Sequence, residues 1–172
     1  MKCVYYGKIY MTNIDNNDIF TFDFDINYNF LLSIYKKNLN FKENYNDNRE
    51  DSYFNNWKII RHNFKYAQDI IKEFTLENLD VRPRFYVLDA NSTLKEHIDL
   101  NTQCSLNFIL NNNTSPININ NNSYNYKNCL LNTTQKHYVI NNSGERIIFK
   151  LSIMNCSFDM VKNKIKNVLQ IN

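Results

Sequence analysis

The sequence predicts a mainly β fold with flanking helices, in which short antiparallel strands form a sandwich or a barrel. Six apolar segments follow one another within about seventy residues after Pro83, separated by Asn, Ser and Gly turns. Phe and Tyr, at twelve each, recur among Ile, Leu and Val, which favours half-buried sheet over a helical bundle. With only two glycines, neither a GxGxxG nor a GxxxxGK[ST] motif can be written, which excludes nucleotide-binding enzymes of those classes.

The length of 172 residues fits one domain that can bury a core without disulfides. We divide residues 1–172 into three parts of that single domain. Residues 1–81 supply N-terminal strands and supporting helices, residues 82–156 form the β core, and residues 157–172 form a C-terminal helix.

The N-terminal part begins with a predicted strand at residues 3–10 and a second at residues 19–26. In the second, Phe20, Phe22, Phe24 and Ile26 alternate with polar residues, as in a strand with one buried face. Apolar residues recur at helical spacing in two further segments, residues 30–35 and 62–74. The polar run at residues 40–56 is predicted to be a surface loop, either a plain connection or a lid.

The β core is predicted to contain six strands, and a helix follows it. The predicted strands are residues 85–88, 94–99, 104–110, 124–131, 137–141 and 147–153. The helix covers residues 157–169, with Ser157 as its N-cap and Val161, Ile165, Val168 and Leu169 as its buried stripe.

Charge and cysteine usage limit the partners and the compartment. A formal net charge of +3, with dispersed lysines, does not indicate a nucleic-acid groove. The four cysteines form no CxxC pair, no apolar run could span a bilayer, and the N-terminus lacks a signal-peptide core. We therefore expect reduced thiols in a cytoplasm. Asparagine makes up about a fifth of the chain, which is typical of an AT-rich genome; for a virus the compartment would be the host cytoplasm.

The strongest functional signal is the pair His97 and Asp99, in a chain that has three histidines. On a strand both side chains would point to one face, and Ile98 would point into the packed layer opposite. His137, at the start of a later predicted strand, could supply a third ligand. Two imidazoles and one carboxylate leave adjacent positions open on Fe(II), although the same ligands would also hold Zn, Ni or Co.

Arg146 adds a second signal, because it follows His137 by nine residues across the turn at residues 141–144. A hairpin there should return Arg146 to the same cavity. Its guanidinium fork could then bind a carboxylate through two hydrogen bonds. Asn107, on the strand after the His-x-Asp pair, and Asn132, just ahead of His137, are further candidates to line that cavity.

The order His-x-Asp, a distant His and then Arg resembles the 2-oxoglutarate/Fe(II)-dependent dioxygenases. The segments HIDLNTQCSLNFIL and LLNTTQKHYVINNSGERIIFKLSI more narrowly resemble the aspartyl/asparaginyl beta-hydroxylase-like branch, over residues 82–153. The resemblance implies a double-stranded beta-helix (jelly-roll, cupin-like) fold and a hydroxylase that uses Fe(II), 2-oxoglutarate and O2 and releases succinate and CO2. His97, Asp99 and His137 would bind iron, Arg146 would bind the distal carboxylate of 2-oxoglutarate, and Asn107 and Asn132 would contact cosubstrate or substrate.

The substrate remains open at this point. Asp99 departs from the animal members of the branch, which lack the metal-binding carboxylate, so their substrates cannot be copied across. A peptidyl Asp, Asn or Pro side chain and a small molecule are all compatible. Two other classes also remain: a non-catalytic jelly-roll binding or viral structural module, which would bind no metal, and a cupin isomerase, in which Arg146 would lack a role.

Several conspicuous residues receive structural interpretations. We interpret His62 as structural or surface, Trp57 as core, and Tyr124 and Tyr126 as packing residues. Arg82 and Arg84 are expected to form surface salt bridges. Residues 40–56 or 111–122 are the segments that could cover the mouth of the site, a hypothesis that rests on their polarity and position.

Overall fold

Two antiparallel sheets face each other in the computed structural model, which describes residues 14–44, 57–61 and 65–170. The larger sheet has seven strands and the smaller has four. Helices pack on the outer face of the larger sheet. This arrangement confirms the predicted fold class, a mainly β double-stranded beta-helix with flanking helices.

Eleven strands and three α-helices lie within the described ranges. The strands are β1 (Ile19–Thr21), β2 (Lys42–Asn44), β3 (Trp57–Ile60), β4 (Val81–Leu88), β5 (Ser92–His97), β6 (Cys104–Ile109), β7 (Ile117–Ile119), β8 (Asn122–Tyr124), β9 (Asn128–Leu131), β10 (His137–Asn141) and β11 (Arg146–Ile153). The helices are α1 (Tyr28–Lys37), α2 (Ala67–Glu73) and α3 (Phe158–Leu169), and a single 3-10 turn covers Leu39–Phe41.

The strand order explains how distant segments meet. The larger sheet runs β1-β9-β6-β11-β4-β3-β2 and the smaller runs β5-β10-β7-β8. The long strand β11 lies at the centre of the larger sheet, between β4 and β6. Strand β10 lies inside the smaller sheet, between β5 and β7.

The larger sheet separates two apolar cores. The outer core lies between that sheet and the helices and includes Phe85, Phe149 and Val161. The inner core lies between the two sheets and includes Leu88, Ile148 and Val139. Because side chains alternate along a strand, β4 and β11 contribute to both cores, with neighbouring residues on opposite faces.

Local sequence accounts for the helix limits. Helix α1 begins after Asn27, whose side-chain oxygen accepts a hydrogen bond from the Phe30 amide at 2.9 Å. Helix α3 begins after Ser157, as predicted, but the Ser157 side chain makes no capping hydrogen bond. Helix α3 ends where Gln170 adopts a left-handed conformation with φ of 52°.

Some predicted elements differ from the observed ones. Strand β1 ends at Thr21, and the following residues to Ile26 have no regular secondary structure, although Phe22 and Phe24 are buried. The predicted strand 124–131 is two strands, β8 and β9, and the predicted loop 111–122 contains β7. Strand β3 was not predicted, although Trp57 is buried as expected.

Some of the predicted elements include residues outside the described ranges. The predicted strand 3–10, His62 and residues 45–56 of the predicted loop lie outside the described residues. Within the described part, residues 40–44 of that loop belong to the 3-10 turn and β2, and the second predicted helix is observed as α2. None of the described helices is long and apolar enough to cross a membrane.

Candidate metal centre

The pairing of β5 with β10 brings two histidines together from distant parts of the chain. Strand β5 ends at His97 and β10 begins at His137, and these two residues are direct partners across the antiparallel pair. Their ring centroids lie 4.3 Å apart. The register shifts between His137 and Val139, so the irregularity in β10 begins at the histidine itself.

Asp99 lies two residues beyond the end of β5, just before the turn at Leu100 and Asn101 rather than on the strand. Its backbone amide donates to the Thr133 carbonyl at 3.1 Å, and the Thr133 hydroxyl donates to the Thr102 carbonyl at 2.8 Å. These bonds hold the turn so that Asp99 still faces the histidines. The prediction that Ile98 points into a packed layer was wrong: Ile98 is 44% exposed, because the strand has already ended.

The carboxylate and the two imidazoles converge on one point. Asp99 Oδ1 lies 3.5 Å from His97 Nε2 and 3.8 Å from His137 Nε2. One ligand atom from each of the three residues lies within 4.8 Å of the other two. His97, Asp99 and His137 form the only such group of three potential ligands found in the described part of the chain.

Backbone carbonyls orient both imidazoles. Nδ1 of His97 lies 2.7 Å from the Lys95 carbonyl oxygen, and Nδ1 of His137 lies 2.8 Å from that of Gln135. A carbonyl can only accept, so each Nδ1 carries a proton, and in the neutral imidazole Nε2 then presents a lone pair to the centre. This is the outer contact that fixes a metal-binding histidine in its ligating tautomer.

The electrostatics of the centre favour the protonation states that a metal requires. Burial alone would raise the pKa of Asp99, but the Lys150 ammonium and the two histidines outweigh it and hold that pKa well below its usual range. Lys150 Nζ lies 2.6 Å from Asp99 Oδ2, leaving Oδ1 directed at the histidines. Burial lowers the pKa of His137 to about 4, although Asp99 opposes the shift. An ionised carboxylate and a neutral imidazole are ligands ready to bind a cation.

The centre opens onto a cavity of about 160 Å³ between the two sheets. Its apolar walls come from the inner core, and its polar residues come mainly from the centre, β4 and β11. The lining residues are Trp57, Arg82, Arg84, Tyr86, Leu94, His97, Asp99, Leu100, Asn101, Thr102, Asn107, Ile117, Tyr126, Leu131, His137, Val139, Ile148, Lys150, Ser152 and Met154.

Arg146 lies on the same face of β11 as Ile148 and Lys150, and its solvent exposure is 0%. One terminal nitrogen, Nη1, donates to Asn113 Oδ1 at 3.1 Å and to the Ser115 carbonyl. Its Nε and Nη2 atoms are buried without a hydrogen-bond partner in the described structure. A buried cation with unused donors is costly, so this site fits an anion that would accept from them.

Arg146 was predicted to return to the cavity, and it is not itself among the residues that line it. The lining residue next to it is Tyr126, whose ring centroid lies 5.3 Å from the guanidinium carbon. Tyr126 therefore contacts both the cavity and the arginine, a position that its interpretation as a packing residue did not anticipate. Burial raises the pKa of Tyr126 to about 12, so its phenol is protonated at neutral pH.

The two candidate asparagines have different environments. Asn107 is buried on β6, lines the cavity, and donates to Ser105 Oγ at 3.2 Å. Asn132 is not among the residues that line the cavity. Its Nδ2 donates to the Asn17 carbonyl at 2.9 Å, and its Oδ1 accepts from the Thr134 hydroxyl at 2.7 Å. Asn132 instead stabilises the turn before β10.

Three cationic residues of the cavity were missed or assigned to the surface. Lys150 was not singled out, although the period-two pattern of Arg146, Ile148 and Lys150 on β11 would have placed it on the cavity face. Arg84 lines the cavity rather than the surface. Arg82 also lines it at the rim, and it forms the expected salt bridge, with its Nη2 3.1 Å from Asp80 Oδ2.

Comparison with known proteins gives a fold likeness only. No family model and no curated protein matches the chain. Among solved structures, the chain is similar to a prolyl hydroxylase from Trichoplax adhaerens in complex with a hypoxia inducible factor peptide fragment. The alignment covers 80% of this chain and 77% of that one, with 13% sequence identity and a TM-score of 0.53. Because the identity is so low, this match establishes the fold and not the activity.

Two further solved structures belong to the same group of distant neighbours. A 2OG-Fe(II) oxygenase family oxidoreductase from Burkholderia pseudomallei aligns with 74% of this chain and 79% of its own at 10% identity, with a TM-score of 0.47. A protein described as a predicted oxalate decarboxylase, from Thermotoga maritima, aligns with 57% of this chain and 80% of its own at 13% identity, with a TM-score of 0.41.

Proposed function

We propose that the protein is an Fe(II)/2-oxoglutarate-dependent hydroxylase. The observation that carries the proposal is the convergence of His97 Nε2, His137 Nε2 and Asp99 Oδ1 at the mouth of a cavity between the two sheets. Two imidazoles and one carboxylate on one side of an ion are the ligand set of non-haem Fe(II) oxygenases. The fold likeness to a prolyl hydroxylase supports the same class.

Each residue near the centre has a role in this proposal. His97, Asp99 and His137 would hold Fe(II) and leave its remaining positions open toward the cavity. When bound, Fe(II) and 2-oxoglutarate would supply the oxidising chemistry that places one oxygen atom of O2 on a substrate C–H bond, with succinate and CO2 as coproducts. The apolar walls, among them Leu94 and Ile117, would keep water from the reacting groups.

Arg146 would bind the distal carboxylate of 2-oxoglutarate with the donors that the described structure leaves unused. Tyr126 lines the cavity and contacts that guanidinium, so the carboxylate would reach Arg146 past its ring. Asn107 and Lys150 would border the cosubstrate or the substrate. The substrate would be a peptidyl Asp, Asn or Pro side chain, as in the aspartyl/asparaginyl beta-hydroxylase-like branch or the prolyl hydroxylases, or a small molecule; no nucleic acid is expected.

The test is an anaerobic titration of the purified protein with Fe(II) and 2-oxoglutarate, monitored by visible absorption. We expect the metal-to-ligand charge-transfer band of the chelate in the wild-type protein. Arg146→Gln should raise the 2-oxoglutarate concentration at half-saturation at least tenfold, because a charged acceptor loses its buried partner. Arg82→Gln, which removes a rim arginine already paired with Asp80, is the matched control and should leave the titration unchanged.

The absence of a band in folded wild-type protein supplied with both ligands would refute the proposal. If the protein then also failed to bind Zn(II) or Co(II), a metal-free jelly-roll binding module would become the better assignment. Metal binding without the band would favour a cupin-type metal site instead.

A further inference from the structure

The register between β4 and β11 places two cations side by side in the cavity. Arg84 and Lys150 are direct partners across the antiparallel pair, and both line the cavity. Side chains directly opposite in such a pair lie close together, and like charges there are destabilising. The fold therefore holds an unfavourable pair of charges beside the candidate metal centre.

Among the described residues that line the cavity, the acidic side chain neutralises Lys150 but not Arg84. Asp99 is the single carboxylate among the lining residues, and its Oδ2 is occupied by Lys150 Nζ at 2.6 Å. Arg82 is paired with Asp80, outside the lining. Among the residues that the structure describes, the Arg84 side chain has neither a hydrogen-bond acceptor nor an ion-pair partner, although the residue is partly buried.

The surroundings of Arg84 favour an oxyanion over a neutral ligand. Trp57, Leu94 and Ile148 make much of the cavity apolar, and a charge in such surroundings is screened less than at an open surface. A guanidinium presents its donors as a planar fork that matches a carboxylate or a phosphate. A ligand oxygen placed between Arg84 and Lys150 would also separate the two like charges.

We propose that Arg84, together with Lys150, forms an oxyanion site that selects a substrate carrying a carboxylate beside the carbon to be hydroxylated. The anion would lie close to the metal centre because Lys150, the cross-strand partner of Arg84, is 2.6 Å from Oδ2 of the metal-ligand candidate Asp99. This inference rests on the proposed function and narrows its substrate class. It gives Arg84 a role in specificity that is separate from the role of Arg146 toward the cosubstrate.

The experiment compares two probes that differ only in charge. N-acetyl-L-aspartate N-methylamide and N-acetyl-L-asparagine N-methylamide are titrated calorimetrically into the anaerobic protein loaded with Fe(II) and 2-oxoglutarate, and into the metal-free protein. We expect the aspartate probe to bind at least tenfold more tightly than the asparagine probe. Arg84→Gln should remove this difference, and Arg84→Lys should keep part of it because the charge remains.

Arg82→Gln is the matched control, since Arg82 lies on the same strand and face but is already paired with Asp80. It should retain the preference for the aspartate probe. Equal affinity for the two probes, failure of both to bind, or a preference that survives in Arg84→Gln would overturn the inference. Tighter binding of N-acetyl-O-phosphoserine N-methylamide would overturn the assignment of a carboxylate and identify phosphate as the anion.

The charge-transfer band separates this inference from the proposed function. If the band forms equally in wild-type and Arg84→Gln protein but the probes show no charge preference, the hydroxylase assignment stands and the oxyanion site fails. If no band forms but the metal-free protein prefers the aspartate probe through Arg84, the anion site stands without the hydroxylase.

Discussion

The two faces of strand β11 differ sharply, although they belong to the same eight residues. On the outer face Ile147, Phe149, Leu151 and Ile153 pack against the helices in a fully apolar core. On the inner face Arg146, Lys150 and Ser152 lie buried or nearly so beside the apolar Ile148. One strand thus provides stability on one face and the candidate site on the other.

The buried charges of the inner face are stabilised by specific partners. Asn113 and Ser115 accept from Arg146, and Asp99 pairs with Lys150. The outer face needs no such partners, because apolar burial is non-directional. Substitutions on the outer face should therefore change stability, whereas those on the inner face should act mainly through the group that loses its partner.

The largest expected effect is on the outer face. Phe149→Ala should lower the free energy of unfolding by about 3–5 kcal/mol, because it removes a fully buried ring and leaves a cavity. Urea unfolding followed by circular dichroism would measure it. Metal affinity under native conditions should change less than twofold, and a loss of metal binding in folded Phe149→Ala protein would show that the two faces are not separate.

The buried thiols sharpen the comparison, since Cys104 belongs to the outer core and Cys129 to the inner. Burial raises the pKa of both thiols from 9.0 to about 12. The folded protein keeps these protons while the unfolded chain loses them, so the free energy of unfolding should fall as the pH rises from 9 toward 12.

At pH 8.5 iodoacetamide should alkylate both residues about a thousandfold more slowly than in urea. Peptide mass spectrometry would measure the rates, and fast native labelling of either cysteine would contradict its burial.

Removing the carboxylate of the centre should affect metal binding far more than the fold. Asp99→Ala should weaken Fe(II) or Zn(II) binding by more than about a hundredfold, since losing even an outer partner of a metal site can reduce affinity 10–100-fold. Equilibrium dialysis would measure the affinity. Glu96→Ala, in the same segment but exposed and paired with Lys136, is the control and should bind metal normally. Equal metal affinity in the two variants would remove Asp99 from the centre.

Lys150→Met tests whether the inner-face cation is held by its partner. The variant leaves Asp99 without its ion pair. Because the side chains of Lys150 and Asp99 are 12% and 18% exposed, we expect the free energy of unfolding to fall by about 1–2 kcal/mol, less than for a fully buried pair. Urea unfolding of the metal-free protein would measure this, and Lys150→Arg should recover part of it. Bound metal would neutralise Asp99 and reduce the loss; a loss that is unchanged by metal would mean that packing, not charge, explains it.

The smallest expected effect is a gain. Arg84→Gln removes one of two like charges directly opposite each other and should stabilise the ligand-free protein by about 0.2–1 kcal/mol. Thermal unfolding at low and high salt would detect it, and the gain should shrink at high salt because the repulsion is screened. Destabilisation by this substitution would indicate that Arg84 has a structural partner.

The sequence predicts the chemistry of the centre better than its geometry. Residue types alone select His97, Asp99 and His137, because ligand chemistry depends on side chains that can be read directly. The pairing of His97 with His137 cannot be read in this way, since register is set by contacts between segments far apart in the chain. Asp99 faces the centre because a turn is held by Thr133, not because the strand continues.

The errors in the predicted elements have the same origin. The segment 124–131 carries Tyr, Cys and Leu side chains that suggest one strand, yet residues 125–127 lie between β8 and β9, outside both strands. Short strands such as β7 and β3 carry too few residues for a periodic signal, and their neighbours in the sheet determine them. Asn132 has the same chemistry as Asn107, and only the tertiary structure shows that one stabilises a turn and the other lines the cavity.

The separation of forty positions between His97 and His137 also bears on how the protein folds. Before β5 and β10 pair, the two imidazoles are joined by a long flexible chain, and closing that loop has an entropic cost with few contacts yet formed to offset it. A metal ion therefore cannot act as an early template for the sheet. It can bind with full affinity only once the long-range pairing is complete, so metal capture in a refolding experiment should follow the formation of secondary structure as a later step.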